Sequence, residues 1–444
     1  MKIKQKSSPS TAGKLTLLFL MYISQKVFLT FTWTLLPLIL RKQGVSLGTI
    51  GFTALVYSPW ALKFIHAPLV DRYFNSRLGK RKSWITPLLG LSWIILPILA
   101  VTPPSGDLAP FLGLVFVLNF LYATIDIAVD GYATDILKPE QRPWGNTIQM
   151  VGYLLGYMLG AGVFIIVYQT LGWKQTVFII TLLQLFLMLP IIFHREIKPV
   201  SSSLGLLSKS AEQPRHPSAL YVLRQPKALW FLVFLALVTI FDQVGNQLRL
   251  PLLVDLGINP AQLGRINIWI GTPIAILGSL AGGTLLRRLG AKRVFITGCL
   301  GAAAVSLLSA LLSQHSSPAI WQFGAIIGID RLVMGILSVL TYSMTMTMSA
   351  GQQSATNYAV LSSAGHLIGF AFMPLSGWVC DQIGYFNIFS FLALSGILAI
   401  FIGERLLRKK LAYSENRPPI NIKKQTDGTS NQLNRPGVKP CRKN

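Results

Sequence analysis

APLVDRYFNSRLGKRKSWIT, residues 67–86, decides the reading of this chain. An apolar run ends in the acidic–basic pair Asp71–Arg72, crosses a short loop carrying Arg77, Lys80, Arg81 and Lys82, and re-enters apolar sequence at Trp84. A weaker copy lies in the second half, where RLGKRKSWIT at 77–86 becomes RLGAKRVFIT at 288–297. One basic hairpin between apolar spans, repeated in two halves of a chain, points to a duplicated membrane transporter.

Composition agrees. The chain is 52% hydrophobic and 12% charged, with a mean hydropathy of +0.54, too apolar for a soluble domain. A run of about 20 apolar residues crosses a hydrocarbon core of about 30 Å. Twelve such runs are present, near 15–40, 48–70, 84–102, 110–136, 146–169, 175–193, 228–254, 263–285, 294–312, 320–348, 355–379 and 385–403. The first follows basic residues but exceeds a signal-peptide core and lacks a small-residue cleavage site, so it is read as a span. The expected fold is an all-α membrane protein of twelve transmembrane helices in two pseudo-symmetric six-helix bundles.

The net charge of +25 raises the question of nucleic acid, and its distribution answers it. With the N-terminus inside, 32 of the 40 Lys/Arg fall in cytoplasmic segments, against Arg41, Lys42 and Lys174 in opposite loops. Lys26, Lys63, Arg249, Arg265 and Arg331 lie in or at the ends of spans. That asymmetry is the positive-inside pattern, which expects both termini in the cytoplasm and no nucleic-acid partner.

Residues 1–193 and 228–403 form the two six-span halves. Between them, 194–227 is rich in Ser, Pro and basic residues and reads as a cytoplasmic linker, and 404–444 reads as a basic, disordered cytoplasmic tail. Further repeats link the halves: LPLILRKQGVSLGTIG (36–51) with LPLLVDLGINPAQLG (250–264), IDIAVDG (125–131) with IDRLVMG (329–335), and GYMLG (156–160) with GHLIG (365–369). Cys299, Cys380 and Cys441 have no metal-ligand spacing, and Met344, Met346 and Met348 alternate between helix faces, as packing residues do. No cofactor or metal is expected. Gly152, Gly156 and Gly160, like Gly278 and Gly282, are spaced for close helix packing. No GxxxxGK or GxGxxG loop is present, which argues against transport driven by ATP.

Charges within the hydrocarbon are costly and face partners or water-filled cavities. Asp126 and Asp130 lie four residues apart on one face of the fourth span, where two carboxylates in low dielectric do not both ionise easily, as a proton-coupling site requires. The competing reading is structural pairing with Arg or Lys. Asp135, near the end of that span, is expected as a gate or loop contact. His366 is a second coupling candidate, since imidazole titrates near neutral pH. Candidates for the substrate cavity are Gln25 and Lys26 in the first span, Asp242, Asn246 and Arg249 on one face of the seventh, and Asp330 and Arg331 in the tenth. The cations Lys26, Arg249 and Arg331 suit an anionic substrate or, equally, structural ion pairs.

Six spans on either side of a linker, with DRYFNSRLGKRK between spans 2 and 3, resemble the major facilitator superfamily over about residues 14–405. The resemblance makes Asp71, Arg72, Arg81 and Lys82 a conformational-switch loop. PWALKFIHAPLVDRY (59–73) and ATIDIAVDGYATDIL (123–137) look like its peptide/acetyl-coenzyme A transporter branch, which holds AmpG-type muropeptide permeases and RhtX/FptX-type siderophore transporters. GNTIQMVGYLLGYMLGAG (145–162) is more similar to the second group, with His66 where Trp is usual and Ile125 where Gln is usual. The resemblance implies a monomeric, proton-coupled secondary transporter of the bacterial inner membrane taking up an iron–siderophore complex, with muropeptide import as the alternative. The implied partners are a small molecule (an anionic iron chelate or a muropeptide) and the lipid bilayer. A membrane-bound transferase would need a catalytic cluster near an interface, and the sequence offers none.

Overall fold

The computed structural model describes residues 10–42, 54–104, 107–194, 196, 217–258, 262, 265–315 and 319–407. Most of the expected linker and the tail from 408 lie outside the described residues, as do the side chains of Asp242, Asn246 and His366.

Regular structure among the described residues is helical. It comprises α1 (Thr11–Lys42), α2 (Lys63–Arg72), α3 (Lys82–Val101), α4 (Leu108–Ile136), α5 (Arg142–Tyr157), α6 (Phe164–Phe193), α7 (Pro226–Asp255), α8 (Thr272–Leu312), α9 (Ile320–Ser349) and α10 (Ser354–Arg405), with short helical turns between. Among the described residues, seven helical stretches are long and apolar enough to cross a membrane. Pro139–Phe193, at 55 residues, and α10, at 52, are about twice the length a bilayer requires. Glycines resolve the excess: Gly172, Gly290 and Gly384 adopt φ of 79°, 79° and 78° with ψ near 180°, where a side chain would clash, and each turns the chain between two rods.

Close packing follows from the glycine ladders. A Cβ at Gly156 would lie 2.7 Å from Lys26 Cβ, and one at Gly152 would lie 3.0 Å from Tyr22 Cβ, so α5 seats directly on α1. Gly278 and Gly282 of α8 likewise meet the α9 backbone at Leu332 and Ile336. One hydrophobic core gathers buried residues from Leu17 to Ile191, and a second those from Val222 to Leu407. The first also takes in Met346, Ala355, Tyr358 and Ala359, so the two halves meet where α9 ends and α10 begins. Met344, Met346 and Met348 are all buried packing residues. The outer surface carries exposed Phe186, Phe193, Trp269, Leu394 and Phe401, an apolar belt suited to lipid.

Candidate functional site

Two clusters connect along α2 and α4. The first lies at the hairpin face. Arg81, 1% exposed, precedes α3 and reaches three ways. Its Nη1 meets Asp71 Oδ1 at 2.8 Å, its Nε donates to Asp135 Oδ2 at 2.9 Å, and its Nη2 donates to Ser354 Oγ at 2.7 Å. Asp71, at the end of α2, accepts from both the backbone N–H and the hydroxyl of Thr356, each at 2.7 Å, and pairs with Lys80 at 2.9 Å. Burial alone would push the Asp71 carboxyl up, but Arg81 and Lys80 override it and hold the group below the usual carboxylate range. Lys80 also donates to the Gln352 carbonyl. The first-half hairpin is thereby fastened to residues 352–356 of the second half.

The other members of the expected switch loop have different places. Arg72 is exposed, 5.1 Å above its neighbour Tyr73. Lys82 donates to the Ile192 and His194 carbonyls, satisfying the end of α6 within its own half. Glu196, which the sequence did not single out, accepts from the Arg81 and Lys82 amides at 2.9 and 2.8 Å, so it caps α3 and braces the hairpin.

The second cluster is intramembrane. Asp126 and Asp130 do lie on one face of α4, and both reach Lys63 of α2, at 2.6 and 3.6 Å. Tyr153 donates to Asp126 at 3.0 Å, while Tyr22 and Gln149 donate to Asp130 at 3.1 Å each. Tyr358 of the second half donates to Gln149 at 3.4 Å. The pairing with a Lys that the sequence left open beside proton coupling is thus present, with Lys63, counted among the cations in or at the ends of spans, as the partner. The missed signal was a lysine inside the apolar PWALKFIHAPL run. Lys26 completes the cluster, its Nζ lying 4.3 Å from the Trp60 ring centroid and 4.2 Å from that of Tyr153. Gln25 is fully buried, with both amide atoms lacking a hydrogen-bond partner among the described residues.

In the second half, Arg249 and Asp330, read from the sequence as cavity candidates or structural ion pairs, bury their charges against each other at 2.5 Å. Arg249 Nε also donates to Ser309 Oγ at 3.2 Å. A midplane cation and acid within reach pair because neither can be hydrated there. Arg331, adjacent to Asp330, is half-buried on another face. The second half instead offers a solvent-open cleft between α7, α9 and α10, whose described polar lining is Thr239, Ser338, Thr341, Tyr342, Thr345 and Ser362. Of the cargo candidates whose side chains are described, none lines it. Its signal was legible: 338, 341, 342 and 345 follow the spacing of one helix face.

The chain has counterparts among known proteins. The chain is 25% identical over 373 residues to the anhydromuropeptide permease of Escherichia coli (strain K12), covering 82% of this chain and 74% of that one. It is 25% identical over 397 residues to the putative transporter AmpG 4 of Rickettsia conorii, covering 87% and 94%. The crystal structure of the human organic anion transporter MFSD10 superimposes with a TM-score of 0.63 at 17% identity, over 89% of this chain and 99% of that one, a likeness of fold. Residues 17–329 and 248–436 match the Major Facilitator Superfamily, and the chain belongs to that family of membrane transporters.

Proposed function

We propose that this transporter is a proton-coupled importer of a muropeptide-type solute in a bacterial inner membrane. The observation that carries the reading is the second-half cleft. Among the described residues six hydroxyl side chains and no charged one line it, which suits the hydroxyls and amides of a sugar–peptide better than a ferric anion. The similarity to the E. coli anhydromuropeptide permease supports it. The iron-chelate expectation drew on Lys26, Arg249 and Arg331, none of which lines the cleft, and Arg249 is neutralised by Asp330. The twelve spans in two bundles, the boundaries at 193 and 228, and both termini in the cytoplasm belong to the same reading.

Proton coupling is assigned to Asp126 and Asp130. Protonating either carboxylate weakens its hold on Lys63, so the charge state of α4 sets its contact with α2. The same two helices end in the hairpin cluster, since α2 carries Asp71 roughly two turns beyond Lys63, and α4 carries Asp135 roughly one and a half turns beyond Asp130. A change in pairing at the midplane is thus transmitted to the gate by rigid helices.

Everted and right-side-out vesicles given radiolabelled anhydromuropeptide or ferric chelate, with and without a protonophore, test the reading. Accumulation of the muropeptide that collapses with the protonophore is expected. Accumulation of the chelate alone would replace the substrate assignment, and accumulation indifferent to the protonophore would remove the coupling.

A further inference from the structure

We infer that Lys26, held between Trp60 and Tyr153, is the docking point for a carboxylate on the solute, and that proton binding nearby makes this point attractive. The inference rests on the proposed muropeptide reading and names how one chemical feature of that solute is selected.

Three observations carry it. First, the acids of the network already have their donors. Asp126 holds Lys63 and Tyr153, and Asp130 holds Tyr22 and Gln149 with Lys63 at 3.6 Å. Lys26 has no ion-pair partner within 4 Å among the described residues, and its contacts are the two ring faces. Aromatic faces stabilise a cation without neutralising it, so the charge stays available to an anion. The rings are themselves fixed, Trp60 by donating to Asn119 at 2.9 Å and Tyr153 by donating to Asp126.

Second, accessibility divides the cluster. Lys63, Asp126 and Asp130 are buried, whereas Lys26, Trp60 and Tyr153 each keep partial exposure. Lys26 is therefore the edge of the network that a solute can touch. Third, the cluster adjoins the hydroxyl-lined cleft. Tyr342 lines that cleft, packs against the first-half core, and lies close enough to Lys63 to interact with it electrostatically. A solute whose sugar or amide groups occupy the α9 stripe can direct a carboxylate towards α1.

Charge balance then links proton and solute. Lys26, Lys63, Asp126 and Asp130 sum to zero when all are ionised. A proton on either acid leaves one positive charge in a poorly hydrated site, and a solute carboxylate at Lys26 restores neutrality. Proton and anion each favour the other's binding, which is the reciprocity that coupled transport requires.

The test compares uptake of anhydromuropeptide with that of the same compound after amidation of its peptide carboxylates, in vesicles carrying the native protein, Lys26→Met or Lys26→Arg. The native protein is expected to prefer the carboxylate form by about tenfold in apparent affinity, the size of a charge-assisted hydrogen bond in a partly dry site. Lys26→Met should bring that preference close to one, and Lys26→Arg should restore most of it. The preference should also weaken as external pH rises in the native protein. If native vesicles take up neither compound, the substrate reading itself fails. If native uptake is normal and Lys26→Met lowers both compounds alike, keeping their ratio, the docking role is overturned while the substrate reading stands. An abundant, correctly folded Lys26→Arg that fails to restore the preference also overturns the docking role.

Discussion

The hairpin at 77–86 and its copy at 288–297 share a backbone and little else. Gly79 and Gly290 both take positive φ, 106° and 79°. In the first copy the cation, Arg81, is buried and its partners include Ser354 of the other half. In the second the matching cation, Lys292, pairs with Glu404 of its own half at 2.7 Å, partly in solvent. The position six residues before the first arginine is Asp71 in one copy and Gly282 in the other, so the second lacks the acid around which the first is built. The midplane charges show a parallel contrast. Asp126 and Asp330 occupy matching places in IDIAVDG and IDRLVMG, yet Asp126 shares Lys63 with Asp130 in a network reaching Tyr358, whereas Asp330 is paired with Arg249. The halves share their helices and the Asp126/Asp330 acid, whereas Asp71 and Asp130 and, among the described residues, the branching connections are found in the first half alone. On the proposed reading the first half is where charge is rearranged, and the second half serves as scaffold and cleft wall.

This asymmetry orders the effects of substitution. The largest is expected in the scaffold pair. Arg249→Met leaves Asp330 buried without its cation and should destabilise the protein by about 3–5 kcal/mol, read as lost thermal stability in detergent. At the gate, Asp71→Asn keeps the shape but removes the charge facing Arg81 and Lys80, a loss of about 2–4 kcal/mol falling mainly on the closed state. Maximal uptake rate should drop by at least about tenfold with apparent affinity within about threefold, and an affinity loss of about a hundredfold at an unchanged rate would contradict a switching role. The lock should not respond to pH between about 5 and 8. The Asp71 carboxyl is held below its ordinary value of 3.8, so its contribution is complete above that value and is lost only as pH falls through the lowered one. A ratio of uptake rates between Asp71→Asn and the native protein that varied across that range would break this account.

Matched glycines sharpen the contrast. A Cβ on Gly131 would lie 2.6 Å from Ala355 Cβ of the other half and 2.8 Å from Arg81 Cζ, whereas one on Gly335 would meet Ala275 O at 2.6 Å within its own half. Gly131→Ala should shift the conformational equilibrium by about 1–3 kcal/mol, measured as cysteine accessibility at the hairpin face, while Gly335→Ala should lower melting temperature and leave that accessibility alone. The smallest effect belongs to Glu196→Gln. It weakens the cap on α3 by about 1 kcal/mol and should slow transport a few-fold. An effect as large as that of Asp71→Asn would mean that the linker, and not Arg81, carries the lock.

Much of this plan was legible in the sequence because membranes make it so. Apolar runs of span length, basic loops and the Gly152–Gly156–Gly160 ladder each follow from a single periodicity. The four-residue spacing of Asp126 and Asp130 likewise placed them on one face, and Asp135 stands at the end of α4 against Arg81. Partners on other helices were not legible. Lys63 has no acid one turn away in α2 to announce it, and Arg249 and Asp330 meet only after α7 and α9 pack. The hydroxyl stripe on α9 was overlooked because Ser and Thr in apolar helices commonly bond back to their own backbone, as Thr341 and Thr345 do here.

One paired experiment tests the central claim, that the first-half charges work and the second-half charges support. Lys63→Met with Asp126→Leu, and separately Arg249→Met with Asp330→Leu, replace each buried ion pair by apolar side chains, leaving Asp130 in the first protein with Tyr22 and Gln149 as its donors. Both proteins are made in vesicles, and accumulation of solute against its gradient is measured alongside thermal stability. The account predicts that both fold, that the Arg249/Asp330 replacement still accumulates solute, and that the Lys63/Asp126 replacement does not. Accumulation lost in the Arg249/Asp330 protein and kept in the Lys63/Asp126 protein would contradict it.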